Sequence, residues 1–361
     1  MNILKNTREG SRGMLFNGKK VLVTGGAGFV GSNLVDRLVQ EKADVTVLDN
    51  LFTGQKENIM SLDKIKFIEG SVTDRQLVNE LVKESDFVFH LAVRNIIVST
   101  KEPELDFEVN SRGTFNILLA AKNHGIERIV YSSSASIYGN PRYLPINEWD
   151  YVNILNPYAA GKLTGENYCF AYGESFKVPV SVVRYSNVYG IRQNPGNPYC
   201  GVVSKFFESA LNGDPIQIHG DGEQTRDFTY VSDAVDATIL AGLSPKAEGQ
   251  VFNVGSGKET TINYLARTIN HLCGKRSQII FIDRRDIDNI RRRVMNIEKI
   301  RHFLRWVPTV NLFNGLKKTY DWLTQKKNYR YSQATSMEDY CEWSESLLNL
   351  EPVPADINNM K

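Results

Sequence analysis

Short apolar runs alternate with helical stretches over the first half of the chain. The runs predict buried strands at residues 20–24, 45–48, 65–69, 87–91, 128–132 and 180–185. Apolar positions at helical spacing predict helices at 32–40, 107–123 and 157–173. Because strands that alternate with helices build parallel sheets covered on both faces, we expect an α/β fold with a doubly wound parallel sheet.

The pattern changes after residue 185. Residues 187–199 are rich in Gly, Pro and Asn, which predicts a loop. Further helices are predicted at 202–211, 259–272, 301–306 and 313–325, strands at 216–219, 251–254 and 279–282, and a return to the sheet domain over 229–241. We therefore expect an N-terminal extension (1–18), a sheet domain (19–185 plus 226–254), a smaller C-terminal α/β domain (186–225 plus 255–325) and a weakly ordered tail (326–361).

Composition narrows the class of function. The 361 residues are 42% hydrophobic and 23% charged with a net charge of +2, so bulk electrostatics give no argument for a nucleic-acid partner. No apolar run approaches the ~20 residues of a membrane span, and the N-terminus lacks an apolar signal segment. The four cysteines are scattered without a Cys-x-x-Cys pair, so we expect reduced thiols in a cytoplasmic protein and no metal site.

A glycine-rich turn follows the first predicted strand. Gly25, Gly28 and Gly31 permit a tight turn, close approach of a pyrophosphate and helix–strand packing. The N-terminus of the following helix offers unpaired N–H groups to phosphates. Asp49 ends the second strand, about 20 residues on, where a carboxylate accepts hydrogen bonds from an adenosine ribose and repels a 2′-phosphate. These features predict a Rossmann-type domain that binds NAD rather than NADP.

Tyr158 and Lys162 are four residues apart in a predicted helix, so they share one face. A free phenol has a pKa of about 10 and is a poor base at neutral pH, but a neighbouring ammonium favours the phenolate. Residues 132–134 are serines that follow the fifth strand and so lie at the carboxyl edge of the sheet, where open α/β folds bind ligands. The combination predicts a general acid/base site beside the dinucleotide.

With these motifs in place, the chain resembles the extended short-chain dehydrogenase/reductases, and among them the nucleotide-sugar 4-epimerases and dehydratases. The resemblance covers residues 19–324. Its motifs are TGGAGFVG at 24–31, LDN at 48–50, HLA at 90–92, YSSSASIYG at 131–139, YAAGK at 158–162, RYSNVYG at 184–190 and GDGEQTRDFTYVSD at 220–233.

The resemblance implies a set of site residues. The implied catalytic residues are Ser134, Tyr158 and Lys162. The implied NAD-binding residues are Gly25, Gly28, Phe29, Val30, Gly31, Asp49, Asn50, Gly54, Ser71, Val72, Leu91, Ala92, Val93, Asn110, Ser132, Tyr158, Lys162 and Tyr185. The implied substrate-binding residues are Arg94, Ser134, Asn187, Val202, Gln217, His219, Arg226, Arg285 and Arg292, of which Arg285 and Arg292 compete for one position.

The resemblance also implies a reaction. A UDP-hexose or UDP-N-acetylhexosamine would be epimerised at C4 through a transient 4-keto intermediate, with NAD regenerated in each cycle. The 4,6-dehydratases carry an Asp-Glu pair where this chain has Ala135 and Ser136, and the uronate decarboxylases carry Glu at the position of Ser136. Both departures favour plain epimerisation. A decarboxylase, dehydratase, reductase or uronate epimerase acting on a related sugar nucleotide is the alternative.

This chain differs from the usual family sequence at two further positions, and the resemblance also implies a homodimer. Ser71 replaces the Asp that commonly holds the adenine amino group, and Arg94 introduces a charge into a substrate-facing loop that is less charged in many relatives. Helices 107–123 and 157–173 resemble the pair that forms a four-helix dimer interface in this family. We therefore expect a homodimer that binds a nucleotide-diphosphate sugar, with no nucleic-acid or membrane partner.

Overall fold

The computed structural model describes residues 15–193, 201–284 and 289–327, and every structural statement below refers to these residues. The strands are β1 (Lys20–Thr24), β2 (Asp44–Asp49), β3 (Lys66–Glu69), β4 (Phe87–His90), β5 (Arg128–Ser134), β6 (Val180–Tyr185), β7 (Asn187–Tyr189), β8 (Ile216–His219), β9 (Thr225–Arg226), β10 (Phe228–Tyr230), β11 (Gln250–Val254), β12 (Thr260–Thr261) and β13 (Ile279–Ile282).

The helices flank the strands in sequence order. They are α1 (Phe29–Gln40), α2 (Arg75–Lys83), α3 (Ile96–Lys101), α4 (Pro103–Asp106), α5 (Thr114–His124), α6 (Pro157–Phe176), α7 (Val202–Asn212), α8 (Val231–Leu243), α9 (Ile262–Leu272), α10 (Glu298–Leu304) and α11 (Leu312–Lys327). A π-helical segment, Phe107–Gly113, joins α4 to α5 within the helix that the sequence predicts at 107–123. Among the described helices, none has the length and apolar character needed to cross a membrane.

Seven strands form one parallel sheet in the order β11-β6-β5-β4-β1-β2-β3. Successive side chains of the strands point to opposite faces, so Val21 and Val23 pack in one apolar layer while Leu22 packs in the other. Helices α1 and α8 cover the first face, and α2, α5 and α6 cover the second. The predicted doubly wound α/β fold is confirmed.

The direction of winding reverses between β1 and β4. The chain runs outward from β1 through β2 to β3, then returns to the other side of β1 to form β4, β5 and β6. In open α/β sheets such a switch point leaves a crevice at the carboxyl ends of the strands. The candidate site residues predicted after β1, β2, β4 and β5 all lie at this edge.

The second half of the chain adds three small sheets, in which β10 pairs with β7, β12 with β9 and β13 with β8. The sequence predicts a loop over 187–199, but Asn187–Tyr189 forms strand β7, because Tyr189 is buried against the rings of Phe228 and Tyr230. That part of the prediction is wrong. The remainder of the predicted loop, 194–199, lies outside the described residues.

The ends of the sheet domain differ from the predicted boundaries. Phe16 is fully buried and packs edge-on against Phe87 and Phe89, so residues 15–18 belong to the sheet domain rather than to an extension. Helix α11 continues to Lys327, two residues into the predicted tail. The rest of both predicted segments, residues 1–14 and 328–361, lies outside the described residues.

A buried ion pair joins α6 to the sheet. The Arg184 guanidinium donates to both carboxylate oxygens of Glu166, at 2.9 Å from Nε and 2.6 Å from Nη2. Arg184 also donates to the Tyr138 hydroxyl and the Glu148 carbonyl, and its pKa is raised through hydrogen bonds and attraction to Glu166 in spite of burial. The pair fixes α6 against β6, behind the edge of the sheet where the cavity lies.

Glu166→Ala should lower the free energy of unfolding by about 3–5 kcal/mol, since the Arg184 guanidinium would stay buried without its counter-ion. Urea unfolding of the two proteins measures the difference. Glu84→Ala is the matched control, because its ion pair with Lys66 spans 3.7 Å between exposed side chains. Equal losses in the two variants would show that the buried pair has no special structural role.

Candidate active site

A cavity of about 330 Å³ lies at the carboxyl edge of the sheet. Residues at or beyond the carboxyl ends of β1 to β6 form its walls, and α6 contributes Tyr158 and Lys162. Of the residues predicted to bind NAD, all but Asn110 line this cavity. The sheet therefore brings together side chains that are up to 160 residues apart in the sequence, from Gly25 to Tyr185.

The glycine-rich turn has no room for side chains. Gly25 has a φ of +71°, and a Cβ there would lie 2.7 Å from the Ala92 nitrogen. A Cβ on Gly31 would lie 2.1 Å from the Gly25 carbonyl oxygen. The bare backbone leads into the N-terminus of α1, where Gly28 supplies no side-chain cap. A tight glycine turn that leads into a helix N-terminus fits a dinucleotide pyrophosphate.

Asp49 lines the cavity at the end of β2. Its Oδ2 accepts a hydrogen bond from the Ala27 amide at 2.9 Å and its Oδ1 accepts one from the Leu51 amide at 2.8 Å. Burial raises the pKa of the carboxyl group, while the two amides oppose that rise. The side chain is thus fixed in place with lone pairs left to accept a ribose hydroxyl, as the sequence predicts for an NAD-binding acid.

Tyr158 and Lys162 lie in the first turns of α6, and both line the cavity. The helix begins at Pro157, and the Asn156 side chain caps it by accepting from the Ala159 amide. Lys162 Nζ donates to the Ser132 carbonyl at 2.6 Å. Burial lowers the pKa of Lys162 to about 8, and the carboxylates of Asp106 and Glu166 limit the fall.

The three serines at the end of β5 take different positions. Ser132 and Ser133 line the cavity, whereas Ser134 does not. Ser134 Oγ instead accepts from the Ser136 amide and caps the short helical turn that follows. Ser133 Oγ is buried and has no hydrogen-bond partner among the described residues. Ser133 is a cavity residue that the sequence does not predict, because three equal serines in a row give no signal for which of them lines the pocket. The catalytic role of Ser134 stays a prediction.

The other predicted substrate residues lie outside this cavity, apart from Arg94. Gln217 is exposed on β8, while His219 binds the Asp283 carbonyl through Nδ1. Arg226 donates to the carbonyls of Thr225 and Ile290, and Arg292 forms an exposed ion pair with Glu259. Asn187 is the first residue of β7, and Val202 is the first residue of α7. Arg285 lies outside the described residues.

Several cavity residues were missed by sequence reasoning. They are Leu48, Phe52, Thr53, Asn58, Gly70, Asn95, Val109, Ser133, Arg192, Gln193 and Gly201. Phe52 and Thr53 follow Asp49 closely and could have been found from the strand end. Arg192 reaches the cavity from the smaller domain, where it binds the Ser32 carbonyl and pairs with Asp36 at 2.7 Å. Only the folded arrangement brings that residue here.

His90 and Asn110 support the site from outside the cavity. His90 is buried between the hydroxyls of Thr24 and Thr114, and burial lowers its pKa to about 3, so it is neutral at physiological pH. Asn110, in the π-helical segment, accepts from the Arg94 amide and donates to the Arg94 carbonyl. The described residues bring no three His, Cys, Asp or Glu side chains together in a metal-binding arrangement.

Comparisons with known proteins all point to one family of enzymes. A sequence model of the NAD dependent epimerase/dehydratase family matches residues 21–255. The chain is 39% identical over 313 residues to a putative UDP-glucose 4-epimerase of Methanocaldococcus jannaschii, covering 86% of this chain and 99% of the relative. It is 36% identical to a UDP-N-acetyl-alpha-D-glucosaminuronate decarboxylase of Bacillus cytotoxicus, covering 86% and 99%.

A solved structure of high similarity is the UDP-glucose 4-epimerase of Thermotoga maritima with UDP-glucose. It is 33% identical, has a TM-score of 0.82, and the match covers 85% of this chain and 99% of that one. The fold, the glycine-rich turn and the buried Lys162 thus occur in a chain that is similar along most of its length to nucleotide-sugar enzymes.

The lowered pKa of Lys162 gives a testable pH dependence of stability. A lysine that binds its proton less tightly in the folded state makes stability rise with pH between the folded pKa, about 8, and the ordinary value of 10.5. Relative to Lys162→Met, the wild-type protein should gain up to about 1.4 kcal/mol per pH unit across this window. Denaturant unfolding at several pH values measures the gain.

Lys258→Met, which removes an exposed lysine, corrects for the change in net charge. Parallel stability profiles for wild type and Lys162→Met between pH 8 and pH 10.5 would contradict the buried, weakly basic ammonium.

Proposed function

The chain belongs to the NAD-dependent epimerase/dehydratase family of nucleotide-sugar enzymes, and we propose that it interconverts C4 epimers of a UDP-hexose or UDP-N-acetylhexosamine. One observation carries the proposal. Tyr158 and Lys162 line the same cavity as the glycine-rich turn and Asp49, so a base and a dinucleotide site share one pocket. That arrangement suits oxidation and reduction of an alcohol held between them.

When bound, NAD supplies the hydride acceptor and donor that chemistry at C4 requires. The Tyr158 phenolate would take the proton of the sugar 4-hydroxyl as the 4-keto sugar forms, and the resulting phenol would return that proton when the hydroxyl is restored on the opposite face. The Lys162 ammonium favours the phenolate, since a nearby positive charge stabilises the ionised form. A pKa of about 8 leaves Lys162 charged at neutral pH.

The serine hydroxyls position the sugar. Ser134 is the residue that the family resemblance assigns. Ser133 lines the cavity, and its buried hydroxyl has no hydrogen-bond partner among the described residues. A buried hydroxyl without a partner is costly unless a ligand completes its hydrogen bonds. We therefore assign sugar binding to this pair, with Ser133 added to the predicted residue.

Decarboxylation is the second candidate, because one of the similar proteins is a decarboxylase of an N-acetylglucosaminuronate. The residues after the serine run favour epimerisation. Ala135 has no acid/base group, and the Ser136 amide and hydroxyl both contact Ser134 Oγ. The products separate the two reactions, since a decarboxylase releases a carbon that an epimerase retains.

The smaller domain would hold the nucleotide. Arg226 and Arg292 carry guanidinium groups suited to a diphosphate, and Asn187 presents a buried Oδ1 with no donor among the described residues. Gln217 and His219 would contact the nucleoside from β8. Exposed rings of Phe107, Tyr168 and Phe176 lie on the helices predicted to form a homodimer, and that assembly would cover them.

Tyr158→Phe should lower turnover by at least about 100-fold, because general acid/base catalysis typically contributes 10²–10⁴-fold. The substrates are a panel of UDP-sugars, with products identified by NMR. Tyr168→Phe is the matched control, because Tyr168 is an exposed tyrosine on the same helix. Near-normal turnover by Tyr158→Phe would remove this residue as the base, and carbon dioxide release from a uronate would favour the decarboxylase.

Asp49→Ala should weaken NAD binding by about 10-fold or more and reduce the preference over NADP, because it removes a charged acceptor of ribose hydroxyls. Calorimetric titration with each dinucleotide measures both effects. Asp44→Ala is the control, since Asp44 is exposed at the opposite end of the same strand. An unchanged ratio of NAD to NADP affinity would refute the role of Asp49.

A further inference from the structure

Arg94 is a buried cation in the wall of the cavity. It follows β4 by four residues, has only 7% of its surface exposed, and lines the same cavity as the glycine-rich turn. Its Nε is buried and has no hydrogen-bond acceptor among the described residues. A buried charged donor without an acceptor is unfavourable, so this guanidinium is suited to an anion that comes from outside the chain.

The guanidinium is held flat by an aromatic ring. Its central carbon lies 3.9 Å from the centroid of the Phe52 ring. Stacking on a ring restrains the plane of the guanidinium while its N–H groups point outward along that plane. Phe52 and Arg94 line the cavity together, one from the end of β2 and the other from the end of β4.

The backbone of Arg94 is also fixed. The Asn110 side chain accepts from its amide at 2.8 Å and donates to its carbonyl at 3.1 Å. The Ser99 hydroxyl makes a further contact with the same carbonyl at 3.4 Å. Because both the main chain and the stacked side chain are restrained, the guanidinium is prepared for a ligand rather than free to turn toward solvent.

Two carboxylates attract Arg94 without forming an ion pair with it. Asp49 and Glu102 each partly offset the fall that burial causes in the pKa of Arg94. The described residues include no ion pair between Arg94 and either group, and each Asp49 oxygen already accepts a hydrogen bond from a backbone amide. Arg94 thus lies within the electrostatic influence of Asp49 and still has, within the described part of the chain, an unpaired N–H donor at Nε.

The surroundings identify the anion. The cavity that Arg94 lines contains the glycine-rich turn and the N-terminus of α1, where a dinucleotide pyrophosphate lies. Arg226, Arg292 and Asn187, which are candidates for the sugar-nucleotide diphosphate, do not line it. We propose that Arg94 binds the pyrophosphate of NAD, with Phe52 as its stacking platform, instead of the substrate as the sequence predicts. This inference concerns cofactor binding and stands apart from the reaction at C4.

Binding measurements on the full chain, freed of dinucleotide, test the proposal. Arg94→Met should weaken NAD and ADP-ribose by about 10- to 100-fold, the range of a charge-assisted hydrogen bond. Adenosine, which lacks the pyrophosphate, and UDP should bind as they do to the wild type. Phe52→Leu, which keeps the charge and removes the ring, should weaken NAD by a few-fold.

Thermal unfolding distinguishes a loss of NAD binding in Arg94→Met from a loss of stability. Without ligand, Arg94→Met should melt at the wild-type temperature or above it, since it removes an unsatisfied buried charge, and NAD should raise its melting temperature less than that of the wild type. Arg37→Gln is the charge-matched control from outside the cavity. Unchanged NAD affinity of Arg94→Met together with a lower melting temperature would overturn the proposal. A variant that loses only UDP binding, or only NADP binding, would overturn it too.

Discussion

A buried ammonium fixes the geometry of the candidate site. Lys162 Nζ donates to the Ser132 carbonyl, so α6 is bonded to the end of β5 at the edge of the sheet where the cavity lies. One helical turn later, Glu166 binds Arg184 on β6, and residues four apart share one face of the helix. These two polar contacts hold the helix that carries Tyr158 against two neighbouring strands. The distance from the phenol to the glycine-rich turn is therefore set by the sheet itself.

Three cations are buried around this edge, and they differ in what neutralises them. Arg184 is paired with Glu166, and Lys162 has a carbonyl together with the attraction of Asp106 and Glu166. Arg94 has an aromatic ring and the attraction of Asp49 and Glu102, without an ion pair among the described residues. Satisfied buried networks stabilise a unique fold, whereas unsatisfied groups are costly. By this principle Arg184 and Lys162 stabilise the fold, whereas the role proposed for Arg94 is to bind a ligand.

The sequence was most informative where local chemistry decides the structure. Strand β1 ends as predicted because an apolar run stops at a glycine turn, and Asp49 could be placed because it ends β2. Strand β7 was missed, since its pairing with β10 depends on Tyr189 packing against residues some 40 positions away. Arg192 and Ser133 were missed for the same reason: the direction in which a side chain faces is set by tertiary packing. Among the predicted substrate residues that the structure describes, only Arg94 shares a cavity with Tyr158, and the roles of the others remain predictions.

The end of α4 and the π-helical segment that follows it contact both the Arg94 backbone and α6. Asp106 accepts hydrogen bonds from Ser99 and Asn110, and the same two residues hold the carbonyl of Arg94. Asp106 also attracts Lys162 across the helix interface. A π turn is uncommon and often occurs at functional sites, because it shifts the side chains that follow it around the helix axis. Here it places Asn110 against the Arg94 loop while Asp106 faces α6. The residue proposed to hold the cofactor phosphate and the lysine beside the proposed base are thus positioned by one carboxylate.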